Sequence, residues 1–125
     1  MSDTDRFFPG AAPIDAYGNG GFRFADMSHR GSLLCLPDGI WAWSVASAGA
    51  LSEETLAPIL TWAAELDVVL IGTGRDPWPM PDALRQRFSA LALSADTMTT
   101  GAAVRTYNVL LAERRRVAAG LIAVP

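Results

Sequence analysis

The chain has no lysine: its ten basic residues are all arginine, against 13 acidic ones, for a net charge of −3. Neutralising phosphates supplies most generic nucleic-acid affinity, so a mildly acidic chain excludes a non-specific nucleic-acid binder. A single cysteine, Cys35, excludes an internal disulfide, and its setting in SLLCLP suits a small buried hydrophobe better than a reactive thiol. With one histidine beside that one cysteine, a structural zinc site lacks its four or so ligands. A Ser–His–Asp triad would have to use His29, whose segment DMSHRGS reads as a solvated turn between strands. Long hydrophobic runs are missing too. DVVLIG falls far short of the roughly 20 residues of a membrane span, so no integral membrane protein is expected. The start, MSDTDRFFPG, lacks the basic and apolar regions of a signal peptide and the arginine-rich character of a transit peptide, and a cytoplasmic location is the expectation.

What is present is apolar. Half the 125 residues are hydrophobic and 18% are charged, which suits one globular domain with a real core. Residues 1–13 carry Pro9 and Pro13 and few apolar side chains beyond Phe7 and Phe8, predicting a flexible arm before a single domain over 14–125. Three short apolar runs follow, FRF, GSLLCL and IWAWSV, separated by turn residues such as PDG, and predict a three-stranded antiparallel meander. The period of two puts Trp41 and Trp43 on one face.

Ser52 is a good helix N-cap, Glu53 and Glu54 suit the first turn, and Leu51 and Leu56 stand at the positions of a hydrophobic staple. Pro58 blemishes that helix. DVVLIGTG reads as a strand covered on both faces, DALRQRFSAL as a helix opened by Pro81 or Asp82, and LALSA as the next strand. A helix over roughly 100–115 and a last strand, VAAGLIAV, complete the order. Strands alternating with helices predict a layered α/β fold with the early meander packed beside the sheet.

Two loops then emerge at one sheet edge, GTGRDPWPMP and DTMTTGAA, where α/β folds usually place ligands. Gly72, Thr73, Gly74 and Arg75 form one side of this candidate pocket. Met98, Thr99, Thr100, Arg105 and Tyr107 form the other. A helix beginning at Thr99–Thr100 attracts anions, and Arg105 lies about one turn inside it. Two partners suit that arginine: an internal one, such as Asp96, Asp76 or a loop carbonyl, or an external anion. GTGRDP is a weak nucleotide motif, because Pro77 stands where a dinucleotide fingerprint has its third glycine. No cofactor is implied, and no pair of carboxylates for acid–base work stands out. Trp78, between prolines in DPWPMP, is the candidate exposed anchor for a partner, whereas Trp43 and Trp62 read as core.

IDAYGNGGFRF, VLIGTG and above all MTTGAAVRTYNVLLAERRRVAAGLI make residues 13–124 resemble the Mth-type (Mth938-like) family of small α/β domains. The most specific part of the pattern is Met98, Thr99, Ala103, Arg105, Thr106, Tyr107, Asn108, Leu110, Glu113 and Arg115. That family includes the third assembly factor of mitochondrial respiratory complex I and an adipogenesis-associated protein. The resemblance implies a three-layer α/β fold with a mixed central sheet, no agreed catalytic residues, and a bacterial member of uncharacterised function. It favours a non-catalytic assembly or adaptor protein whose partner is a respiratory-complex subunit or assembly protein. The alternative is a small anionic-ligand binder, or an enzyme, using the two loops with Tyr107 or Asp76 as acid or base. A homodimer formed through open sheet edges stays open as a third arrangement.

Overall fold

The computed structural model describes residues 6–125. Strands β1 (Arg6–Phe8), β2 (Ile14–Gly18), β3 (Gly21–Phe24), β4 (Met27–Arg30), β5 (Ser32–Leu36) and β6 (Gly39–Trp43) come first. Helix α1 (Glu53–Leu60), β7 (Val68–Gly72), α2 (Asp82–Ala90), β8 (Ser94–Met98), α3 (Thr100–Ala112) and β9 (Val117–Leu121) follow. Among the described residues the strands form a six-stranded sheet in the order β1-β6-β5-β9-β7-β8 and a three-stranded sheet β2-β3-β4. β7 runs parallel to β8 and β9, while β9 meets β5 antiparallel, which makes the large sheet mixed.

Alternation along the strands builds a core on each face. Leu34, Leu36, Val69 and Ile71 meet Leu56 and Ile59 of α1 and Leu84 and Phe88 of α2. Leu33, Cys35, Leu70 and Leu121 face Val104 and Tyr107 of α3 together with Phe22 and Phe24 of the small sheet. The result is three layers, and Cys35 is fully buried, as its apolar setting predicts.

The meander therefore has more strands than the sequence suggests, and it divides. Its first strands form the small sheet, whereas β5 and β6 join the large one. His29 belongs to strand β4, paired with Phe22, rather than to a turn, and its ring lies 4.5 Å from that of Phe7. Burial holds its imidazole below the ordinary range. Part of the arm forms a strand. Arg6–Phe8 pair with β6, and the Arg6 guanidinium lies 5.6 Å from the Trp41 ring, so two phenylalanines and one cation–π contact suffice to seat an edge strand. Residues 1–5 of that arm lie outside the described residues.

Helix α1 starts as its sequence demands: the Ser52 hydroxyl accepts from the Thr55 amide at 3.2 Å, and the Thr55 hydroxyl accepts from the Ser52 amide at 2.9 Å. Helices α2 and α3 both end in a left-handed residue, Ala92 (φ 54°) and Arg114 (φ 61°). At each end two amides turn back to the last carbonyls, Leu93 to Phe88 and Ala92 to Ser89, then Arg115 to Leu110 and Arg114 to Leu111. This closure consumes Leu91–Leu93, so β8 covers Ser94–Met98 and not the LALSA run. It also stops α3 at Ala112, ahead of the arginine triplet.

That triplet is tied down at one point. Asp67 accepts from the Arg116 guanidinium at 2.9 Å and from the Arg116 amide at 3.1 Å, joining the starts of β7 and β9. These hydrogen bonds hold the Asp67 carboxyl below its ordinary range. A depressed carboxylate stabilises the fold above its unfolded pKa of about 4, and the contribution is lost as pH falls through the lower folded value. Urea midpoints measured from pH 6 downward should fall more steeply below about pH 4 in the native chain than in Asp67→Asn; parallel curves would show that the pairing carries no stability.

Candidate functional site

The loops expected to form a pocket do come together, but their polar groups are used on one another. The Thr73 amide donates to the Met98 carbonyl at 2.8 Å, and its hydroxyl to the carbonyls of Asp76 and Met98 at 2.8 and 3.1 Å. Thr100, fully buried, donates its hydroxyl to the Ile122 carbonyl at 2.7 Å and accepts from the Gly74 amide at 2.9 Å. Its own amide donates to the Gly74 carbonyl at 2.9 Å. Thr99 caps α3, its hydroxyl accepting from the Ala102 amide at 3.4 Å. Gly72 packs on Thr100: a Cβ there would lie 3.0 Å from the Thr100 Cα. Four of the expected residues, Gly72, Thr73, Gly74 and Thr100, thus weld β7, β9 and α3 together, with Met98 supplying a carbonyl.

The other expected members point elsewhere. Arg105 stands on the exposed face of α3 and, among the described residues, makes no ion pair with Asp96, Asp76 or any other carboxylate. Arg75 is likewise exposed. Tyr107 is 1% exposed and lies in the core beside Cys35. Burial pushes its phenol far above the ordinary range and the Cys35 thiol up to about 12, so neither group exchanges protons near neutrality. Trp78 is half-buried, packed against the cluster under α1 and α2 instead of standing free.

Two surface features escaped the sequence. A groove of about 470 Å³ runs between α1 and the β5–β6 hairpin, lined by Leu36, Trp41, Ala57, Pro58 and Trp62 with Asp38 at its rim. Trp62 packs against the core cluster, as expected, but is only half-buried and also lines this groove, while Trp41 is held by its indole N–H donating to Asp38 at 3.2 Å. Helix α1 contains Pro58 and ends at Leu60, and Thr61 and Trp62 just beyond it lie along the groove. On the opposite side, a concavity of about 420 Å³ lies on the small sheet, with Arg23 and Arg30 in its lining.

Asn108 has a role that its place in a motif did not disclose. Its side-chain amide donates to the Ile14 carbonyl and accepts from the Ile14 amide, both at 2.8 Å, latching α3 to the irregular start of β2. Among the described residues no cluster of three His, Cys, Asp or Glu side chains suits a metal. No described helix is long and apolar enough to cross a membrane.

A family model described as a protein of unknown function, DUF498/DUF598, matches residues 14–122. An uncharacterised protein of Rhodobacter capsulatus is 38% identical over 125 residues, covering 100% of this chain and 95% of that protein. NADH dehydrogenase [ubiquinone] 1 alpha subcomplex assembly factor 3 of Drosophila melanogaster is 32% identical over 114 residues. That match covers 87% of this chain but 57% of the fly protein. Among solved structures, an outer membrane protein from Bartonella henselae superposes with a TM-score of 0.91 at 53% identity, covering 95% of this chain and all of that one. A Mth938-like domain from Bordetella pertussis superposes with a TM-score of 0.78 at 25% identity, covering 89% of this chain and 85% of that one. The expected α/β architecture, with an antiparallel unit beside a mixed sheet, is the Mth938-like fold.

Proposed function

We propose that this chain, which belongs to the DUF498/DUF598 family, is a non-catalytic protein-binding domain that helps to assemble a respiratory membrane complex from the cytoplasmic side. The observation that carries the reading is the 114-residue match to an assembly factor of NADH dehydrogenase, which spans nearly the whole fold. Its partner on this reading is a respiratory-complex subunit or another assembly protein. The groove beside α1 supports a protein partner: tryptophans in partly desolvated grooves are frequent interface anchors, and Trp62 lines this one beside Pro58. The redirection of Tyr107 and Thr100 into structural roles also fits binding better than turnover.

Affinity purification from the native host, quantified by mass spectrometry against an unrelated bait, tests the proposal. Respiratory-complex subunits or their assembly proteins should be enriched. Trp62→Ala should reduce that enrichment about tenfold, as expected when roughly 1.4 kcal/mol of interface energy is lost. Trp78→Ala should have the smaller effect, because Trp78 packs against the same cluster but does not line the groove. Recovery of these proteins no better than with the unrelated bait would overturn the reading.

A further inference from the structure

The outer face of the small sheet collects positive charge around a bare patch. Directly paired residues point to the same side of a sheet. Ala16, Arg23 and Ser28 therefore form one row across β2-β3-β4, and Gly18, Gly21 and Arg30 the next. The Phe22 side chain, on the alternate face, packs into the core, which turns these two rows outward. Three of the six positions are alanine or glycine, and the glycines are not free to change. A Cβ on Gly21 would run into the His29 carbonyl, and Gly18 has φ +126°, a conformation that side-chain-bearing residues rarely adopt. Between them the surface stays hollow, and Arg23 and Arg30 border the hollow from diagonal positions about 7–8 Å apart at the backbone.

Among the described residues the charge there is unanswered: no aspartate or glutamate of theirs lines the 420 Å³ concavity, and neither Arg23 nor Arg30 makes an ion pair with them. Four other arginines are occupied, Arg87 by Glu53, Arg115 and Arg116 by Asp67, and Arg6 by the Trp41 ring, whereas Arg75, Arg105 and Arg114 are exposed singly and do not line this concavity. Ser28 and Asn19 add neutral hydrogen-bonding groups to the lining. Two guanidinium forks carried at diagonal positions suit a tetrahedral phosphate group, whereas a lone carboxylate is satisfied by one fork.

We infer that this hollow binds a small phosphate oxyanion carrying at least two charges, a phosphate monoester or diphosphate, between Arg23 and Arg30, with Ser28 and Asn19 completing its hydrogen bonds. The site lies across the large sheet from the Trp62 groove, so ligand binding and partner binding fail separately.

Amide NMR titrations of the whole chain with pyrophosphate, phenyl phosphate and malonate, at constant ionic strength, test it. Pyrophosphate and phenyl phosphate should shift the Gly18–Gly21, Arg23, Ser28 and Arg30 resonances saturably. Malonate should bind at least tenfold more weakly; equal binding by malonate would overturn the assignment to phosphates. Arg23→Gln and Arg30→Gln should each weaken binding at least tenfold, whereas Arg105→Gln, another exposed arginine, should leave it unchanged. These side chains are solvent-exposed and form no ion pair among the described residues, so the variants should fold, and their remaining resonances check that they do. Sodium chloride producing the same shifts, or the double variant titrating like the native chain, would overturn the proposal.

Discussion

Asn108→Leu should lower the unfolding free energy by about 3 kcal/mol, and the melting temperature by roughly 10 °C for a chain of this length. The native side chain satisfies both backbone groups of Ile14, a residue 2% exposed at a strand irregularity where no neighbouring strand replaces those bonds. Leucine keeps the branched skeleton but strands a donor and an acceptor, each costing about 1–3 kcal/mol when unpaired and buried. Asn108→Asp discriminates between lost bonds and altered shape. It retains an acceptor for the Ile14 amide but sets a carboxylate oxygen against the Ile14 carbonyl, so it should destabilise comparably despite being nearly isosteric. Hydrogen exchange should locate the damage, with the Ile14 amide losing protection ahead of β7 and β9. A melting temperature within about 2 °C of the native value would show that α3 and the small sheet hold together without this latch.

Gly120→Ala should cost a similar amount, about 2–3 kcal/mol, for the opposite reason: too much matter instead of too few bonds. Gly120 sits in β9, and a Cβ there would stand 2.7 Å from Cη2 and 2.8 Å from Cζ3 of Trp43. The indole cannot simply slide away, because its N–H donates to the Thr55 carbonyl of α1 at 3.0 Å. One methyl group therefore forces either the β9 backbone or the β6–α1 contact to move. A double-mutant cycle with Trp43→Leu isolates the clash. Trp43→Leu alone leaves a void and destabilises, but Gly120→Ala in that background adds atoms to the void. The pair should be less destabilised than the sum of the single changes by at least about 1 kcal/mol. Strict additivity would mean that the ring yields without cost.

Both effects are absent from the local sequence for the same physical reason. Asn108 lies 94 residues from Ile14, and Gly120 meets a tryptophan from a strand two positions away in the sheet. A hydrogen-bonding asparagine in a helix and a glycine in a strand each have several ordinary explanations until the register between distant segments is known. The same holds for Arg23 and Arg30, which a strand pairing brings to one face, and for Trp62, whose apolar character reads as core alone until α1 is seen to end beside a groove.

Local chemistry did determine a good deal by itself. Ser52, Leu51 and Leu56 announce the start of α1 because capping and stapling need only neighbours within a turn or so. Alternating hydrophobicity gives the strands, the burial of Cys35 and the shared face of Trp41 and Trp43. The succession of strands and helices gives the layered α/β class, and the motif around Ala103–Leu110 gives the family. Tertiary structure decided the rest. Left-handed closures at Ala92 and Arg114 moved β8 and the end of α3, since a strand-like run such as LALSA yields when its residues are needed to finish a helix. Antiparallel pairing of β5 with β9 divided the meander between two sheets. Above all, packing chose the fate of each polar residue in the loops. Thr73 and Thr100 have the chemistry of ligand-binding groups, but burial among backbone carbonyls and amides makes them supports for the fold, because an unpaired polar group inside costs more than a solvated one outside.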